Sequence, residues 1–167
     1  SSVVFNIESL GNVPPVPPTG TPLALGETIT GTLATADTTN AYTFQLAAPT
    51  RLAMDSLTNA PGVVWSLVGP DGLSVDRRGL NNSDGYNGNP LHTLSAGTHQ
   101  IRVTGTADRP YSFRLLDLSS GTEVAAGVPT TATFPTSRET RLYRFNATAG
   151  SRWFYRFLGG DASGSTS

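Results

Sequence analysis

Residues 23–57 align with residues 124–158 without a gap, at an offset of 124 − 23 = 101, and 11 of the 35 positions are identical. The identities include Gly26/Gly127, Thr30/Thr131, Thr32/Thr133, Tyr42/Tyr143, Phe44/Phe145, Arg51/Arg152 and Leu57/Leu158. Self-similarity at a fixed period means that one structural unit is written more than once, and a period of about 100 residues is the size of a small domain. A second echo places 3–10 (Val-Val-Phe-Asn-Ile-Glu-Ser-Leu) on 111–118 (Tyr-Ser-Phe-Arg-Leu-Leu-Asp-Leu), at an offset of 113 − 5 = 108. Phe5/Phe113 and Leu10/Leu118 are identical there, and Ile7/Leu115 are equivalent. The chain is therefore expected to hold the closing strand of one module (1–10), a linker (11–20), a complete module (21–118), the first half of another (119–158) and a Gly/Ser tail (159–167). The linker run Val13-Pro-Pro-Val-Pro-Pro18 favours polyproline II, a semi-rigid spacer.

Within the complete module, Gly, Pro, Thr, Ser and Asn interrupt short β-branched or alternating runs about every 8–12 residues, the signature of an all-β sandwich or barrel. Residues 40–46 alternate strictly, with Tyr42, Phe44 and Leu46 on one face and Ala41, Thr43 and Gln45 on the other. Further strands are expected at 27–33, 50–57, 63–68, 91–94, 98–104 and 110–116, with tight turns at Gly69-Pro-Asp-Gly72 and Ser95-Ala-Gly97. That number of antiparallel strands suffices for two packed sheets.

Composition removes several chemistries. The chain has 167 residues, no cysteine and a net charge of −1, and all eleven of its cations are arginine. Disulfides, thiolate metal sites, a cysteine nucleophile, a Schiff-base lysine and a P-loop lysine are excluded. The near-neutral balance lacks the basic excess that nucleic acid favours, and no run approaches the ~18 apolar residues of a membrane span. Neither nucleic acid nor membrane insertion is expected, and any secretion signal is expected to lie outside this chain. Five arginines fall among aromatics in 138–156, yet alternation puts Trp153, Tyr155 and Phe157 on one strand face and Arg152, Phe154 and Arg156 on the other, a core pattern rather than a stacking platform.

Candidate sites are few. The loop 81–89 (Asn-Asn-Ser-Asp-Gly-Tyr-Asn-Gly-Asn) concentrates oxygen donors, and Asp76, Asn82 and Asp84 are the candidate ligands for calcium, the possible cofactor. The competing reading is a long turn that caps its own backbone. Tyr86 in the same loop is the candidate for stacking on a glycan, or otherwise an exposed loop tyrosine. His92 and His99 flank the 95–97 turn and would face each other across a hairpin, but two ligands do not make a zinc site. No Gly-x-Ser-x-Gly elbow or other nucleophile motif is present, so no enzyme activity is expected.

Leu25-Gly-Glu-Thr-Ile-Thr-Gly-Thr-Leu33, Tyr42-Thr-Phe44, Trp65-Ser-Leu-Val-Gly-Pro-Asp-Gly72, Leu94-Ser-Ala-Gly-Thr-His-Gln-Ile-Arg-Val103 and Tyr111-Ser-Phe-Arg-Leu115, taken in order, resemble the bacterial pre-peptidase C-terminal domain. The resemblance covers 23–118 fully and 124–158 for the opening half. It implies a jelly-roll-like antiparallel β-sandwich in tandem modules of about 100 residues, and an extracellular or cell-surface setting. Some relatives bind calcium and some in collagenases bind collagen. The family's acidic pair ahead of the Tyr-x-Phe strand corresponds to Asp37 and Asn40, and to Arg138 and Arg141 in the second copy. His99 stands where the family carries an aromatic; its alternation with Ile101 and Val103 makes it a buried, hydrogen-bonded core residue.

The half module raises a physical problem, because an inner face containing Phe134, Tyr143, Phe145, Trp153, Tyr155 and Phe157 is too apolar to leave wet. Either the missing strands lie in continuing chain, or strand Val3, Phe5 and Ile7 of a neighbouring copy adds to it by β-augmentation. Both describe a non-catalytic structural or adhesive repeat module of a bacterial surface protein, fibre or filament, with neighbouring copies or modules as partners. The alternative is an appendage that binds a glycan or a protein such as collagen for an attached enzyme.

Overall fold

The computed structural model describes residues 2–9, 11, 16–59, 61–85, 88–136 and 138–160. Nine strands occupy the expected module: β1 (Thr21–Pro22), β2 (Ile29–Leu33), β3 (Asn40–Leu46), β4 (Thr50–Ser56), β5 (Val63–Gly69), β6 (Gly72–Gly79), β7 (Leu91–Leu94), β8 (Gly97–Gly105) and β9 (Arg109–Asp117). They form two sheets, ordered β1-β3-β8-β5-β6 and β2-β9-β4-β7.

The topology follows from one nested hairpin. β5 pairs with β6 across the turn between Gly69 and Gly72, and β4 with β7, β3 with β8 and β2 with β9 continue outward from it, all antiparallel. Rolling that ribbon so that alternate pairs fall in opposite sheets produces a jelly roll, and the β5·β8 and β4·β9 ladders close each sheet. The chain is an all-β antiparallel sandwich.

Alternation selects the inner faces. Tyr42, Phe44 and Leu46 of β3, Val63, Trp65 and Leu67 of β5, and Tyr111, Phe113 and Leu115 of β9 are all buried in one core. Trp65 satisfies its indole N–H on the Ser83 hydroxyl (2.7 Å), which in turn donates to the Gly79 carbonyl (2.8 Å). His99 is buried and stacks on Phe44 with ring centroids 5.2 Å apart, and its Nε2 donates to the Ser95 carbonyl at 2.9 Å. Gly69 leaves room for it: a Cβ there would sit 2.3 Å from His99 Nδ1.

One strand is added and two expectations are corrected. The strand β6 was not legible, because on this edge strand only Val75 is buried and the remainder is polar or exposed. The 95–97 turn is not a hairpin. Gly97, at φ 130, carries the chain from β7 in one sheet to β8 in the other, so His92 and His99 sit in opposite sheets instead of facing each other. Most consequentially, the strands expected across 119–158 are not built: among the described residues only β10 (Thr122–Glu123) and β11 (Tyr143–Arg144) pair, in a two-residue parallel ladder.

Candidate assembly site

Both faces of β4 are buried over Leu52–Ser56, although a jelly-roll strand normally turns one face to water. The outward residue Asp55 has a fully buried side chain and lies opposite Arg114 in the β4·β9 ladder. Arg114 Nε donates to Asp55 Oδ2 at 2.8 Å, and its Nη2 reaches the same oxygen. The other oxygen, Oδ1, accepts the Thr140 backbone N–H at 3.1 Å. Around this pair, Arg114 also donates to the Thr140 carbonyl and to Glu139 (both 3.3 Å), and Arg141 pairs with Glu139 at 2.9 Å.

A second anchor lies beside the first. Arg138 donates to the Asn81 carbonyl (3.3 Å) and to Asp84 Oδ2 (3.1 Å), while Asp84 Oδ1 accepts the Ser56 backbone N–H at 2.6 Å. Burial pushes the Asp84 carboxyl above the usual carboxylate range, against the opposing pull of the Ser56 N–H and the Arg138 guanidinium. Residues 138–141 are therefore clasped to the outer face of the four-stranded sheet through two carboxylates of the complete module.

The clasped segment repeats the local geometry of 21–43 at the offset of 101. Thr21 pairs with Tyr42 and Thr122 with Tyr143 in the same parallel register. The Leu23 N–H to Thr43 carbonyl bond (2.8 Å) recurs from Val124 to Arg144 (2.9 Å). The Glu27-to-Ala24 and Thr38-to-Thr35 turn bonds recur from Val128 to Ala125 and from Glu139 to Thr136. Gly26 at φ 84 has Gly127 at φ 79 as its counterpart, a conformation that glycine adopts without Cβ strain.

What differs is cover. Leu33, Tyr42, Phe44, Leu52 and Met54 are 0–8% exposed, whereas their counterparts Phe134, Tyr143, Phe145, Trp153 and Tyr155 are 43–85% exposed. Phe145 and Trp153 meet edge to face at 5.1 Å, but the structure does not bury the face that the alternation predicted to be core. Val3, Phe5 and Ile7 are likewise exposed, and residues 2–9 pair with no strand among the described residues.

Two of the calcium candidates, Asp84 and Asn82, contact other groups of the protein. Asp84 has each oxygen committed to a donor of the protein, the Asn82 carbonyl accepts from Arg78 (3.0 Å), and Asp76 stands exposed on β6. A cation at Asp84 would have to displace the Arg138 guanidinium. Among the described residues no three His, Asp or Glu side chains are grouped as a metal site. Tyr86 lies outside the described residues. His92 packs edge-on against Trp65 (5.5 Å), and burial together with the nearby Arg78 charge lowers its pKa. A surface depression of about 430 Å³ is an open groove lined by Thr30, Thr32, Thr58, Pro110 and Ser112 among others, without a charged anchor among its lining residues.

Sequence reading missed the Asp55–Arg114–Thr140 clasp. Its only signal was an aspartate on one strand and an arginine on another, and their pairing becomes visible only once the register is known.

No protein-family model matches the chain, and no curated protein is significantly similar to it in sequence. Solved structures similar to it include the pre-peptidase C-terminal domain of collagenase from Bacillus anthracis, at 19% identity over 62% of this chain and 99% of that one, with a TM-score of 0.43. Another is Salmonella Typhimurium PliG, a periplasmic inhibitor of g-type lysozyme, at 18% identity over 60% and 99% of the two chains, with a TM-score of 0.44. A pre-peptidase C-terminal domain, the family that the motifs resemble, thus stands among the structural neighbours. The fold itself is read from the strand order. No helix among the described residues is long and apolar enough to cross a membrane.

Proposed function

We propose that this chain is a non-catalytic structural or adhesive segment of a secreted or cell-surface protein, in which one jelly-roll module is followed by the opening of the next. The observation that carries the reading is the recurrence, at an offset of 101, of the parallel ladder and its turn bonds in a segment clasped to the complete module. A tail with no structural relation to the module would have no reason to repeat its hydrogen bonds. The clasp supports a joint of defined geometry, since Asp55 loses the Thr140 N–H if 138–140 moves away. The extracellular setting follows from the family that the motifs resemble.

The test supplies the second copy with what it lacks. A chimera carrying residues 58–118 after Leu158 places counterparts of β5–β9 behind the opening half. A second protease-resistant unit, with Trp153 withdrawn from solvent, is the expected result. Continued cleavage throughout 145–158, with the first module intact, would refute the reading.

A further inference from the structure

The exposed face of the opening half has a specific vacancy, and the complete module shows what fills it. There, β9 lies between β2 and β4, and its residues Phe113 and Leu115 occupy the core. Phe113 meets Tyr42 edge to face at 5.7 Å, and the Gly26 N–H donates to the Leu115 carbonyl at 2.7 Å. Among the described residues nothing occupies the corresponding place beside 130–134 and 152–158. The same chain carries a second version of β9 in residues 3–9, unpaired and with Val3, Val4, Phe5 and Ile7 exposed.

We propose that residues 3–9 of one copy of this chain insert as an antiparallel strand between 130–134 and 152–158 of a second copy. This deepens, and rests on, the reading of 119–158 as an opening half module. The two offsets determine the register. Met54↔Leu115 becomes Tyr155↔Ile7, Ser56↔Phe113 becomes Phe157↔Phe5, and Leu52↔Asp117 becomes Trp153↔Ser9. Phe5 then reaches Tyr143 as Phe113 reaches Tyr42, and the Gly127 N–H finds the Ile7 carbonyl.

Charge agrees with this pairing. The clasped copy carries Arg138, Arg141, Arg144, Arg152 and Arg156 against a single acid, Glu139, over 138–158, while residues 3–9 carry Glu8 and no cation. In the stated register Glu8 lies opposite Phe154 on the outer face, diagonal to both Arg152 and Arg156, within reach of long side chains. Where the complete module opposes Asp55 with Arg114, the inserted strand opposes Arg156 with Asn6, so the added strand brings no like charge to the joint. The contact is heterologous, with each copy giving one strand and receiving another, so it propagates head to tail.

Because the chain has no cysteine, the register can be read by cross-linking. Opposed residues of an antiparallel pair bring Cβ atoms to about 4.5–5.5 Å, close to a disulfide's span. Mixed and oxidised, Ile7→Cys and Tyr155→Cys are expected to give a disulfide heterodimer, whereas Ile7→Cys with Phe154→Cys, on the opposite face, is not. The unmodified chain is expected to gain mass with concentration in light scattering, and deletion of 3–9 to abolish that gain while leaving the 21–118 protease core unchanged. Equal cross-linking of both pairs, a bridge confined to one chain in the double variant, or a monomer at all concentrations would each overturn the proposal. None of these outcomes affects the chimera experiment, which reports on the half module alone.

Discussion

The two copies of the opening pattern share 11 of 35 residues and the same first hydrogen bonds, yet one is core and the other is surface. In the first copy, β3 finds β8 as its antiparallel neighbour and β4 lies between β9 and β7. In the second, Tyr143–Arg144 form the short parallel ladder to Thr122–Glu123, and the described residues 145–160 join no strand ladder. Local geometry such as the Gly26 and Gly127 turns is written into a few neighbouring residues and survives alone. Strands are not local, because their backbone groups are satisfied by another segment.

The sharpest way to break the comparison is to truncate equivalent aromatics. Phe44→Ala removes a buried ring from the core and should cost about 3–5 kcal/mol in urea unfolding, whereas Phe145→Ala should change the stability of the chain by no more than about 0.5 kcal/mol. Equal losses would mean that the second copy is packed in solution. Comparable in size is Asp55→Ala, which takes from Arg114 its nearest carboxylate and removes the acceptor of the Thr140 N–H. A loss of about 3 kcal/mol or more is expected, together with faster proteolysis near 138–141. A smaller effect follows from Arg138→Ala, whose pair with Asp84 is partly exposed. About 0.5–1 kcal/mol is expected, and the informative readout is the cleavage rate of the clasped segment, which should rise while the 21–118 core persists.

The smallest effect concerns pH and belongs to the complete module only. Burial lowers the His92 pKa, so the unfolded chain takes up a proton that the folded one resists. Stability should therefore fall as pH drops below the unfolded value of about 6.5 and continue to fall until the folded His92 is itself protonated. Asp84, with its pKa raised, works the other way: its charge is a liability above its folded pKa that acid relieves. His92→Phe keeps a ring against Trp65, removes an unpartnered buried Nε2, and should flatten the decline between pH 7 and 5.5 in thermal melts. An unchanged slope would place the acid sensitivity elsewhere.

Much of the first module was legible. The strict alternation of 40–46 is β3 to the residue, 91–94 is β7, and the Gly69–Gly72 turn joins β5 to β6. The misses have physical causes. β6 is an edge strand with one buried residue, so periodicity had nothing to register, and Arg77 at φ 44 with its N–H on the Ser66 hydroxyl breaks the ladder further. The 95–97 turn has hairpin residues but a corner's role, since whether a turn returns to its own sheet or crosses to the other is decided by the rolling of the whole ribbon. The Asp84 carboxylate is visible in sequence, but its pairing with Arg138, 54 positions away, is not, because the two meet only once the chain is folded.

By itself the sequence determined the inner faces of the strands between residues 40 and 116 and the turns that glycine permits, because each depends on residues within a few positions of one another. Only the tertiary structure decided the partners: which sheet each strand joins, that Asp55 is buried beneath a segment 85 positions later, and that the same aromatic pattern is core at Tyr42 and bare at Tyr143. Burial is a property of what lies on the other side, and a strand's own residues do not carry that information.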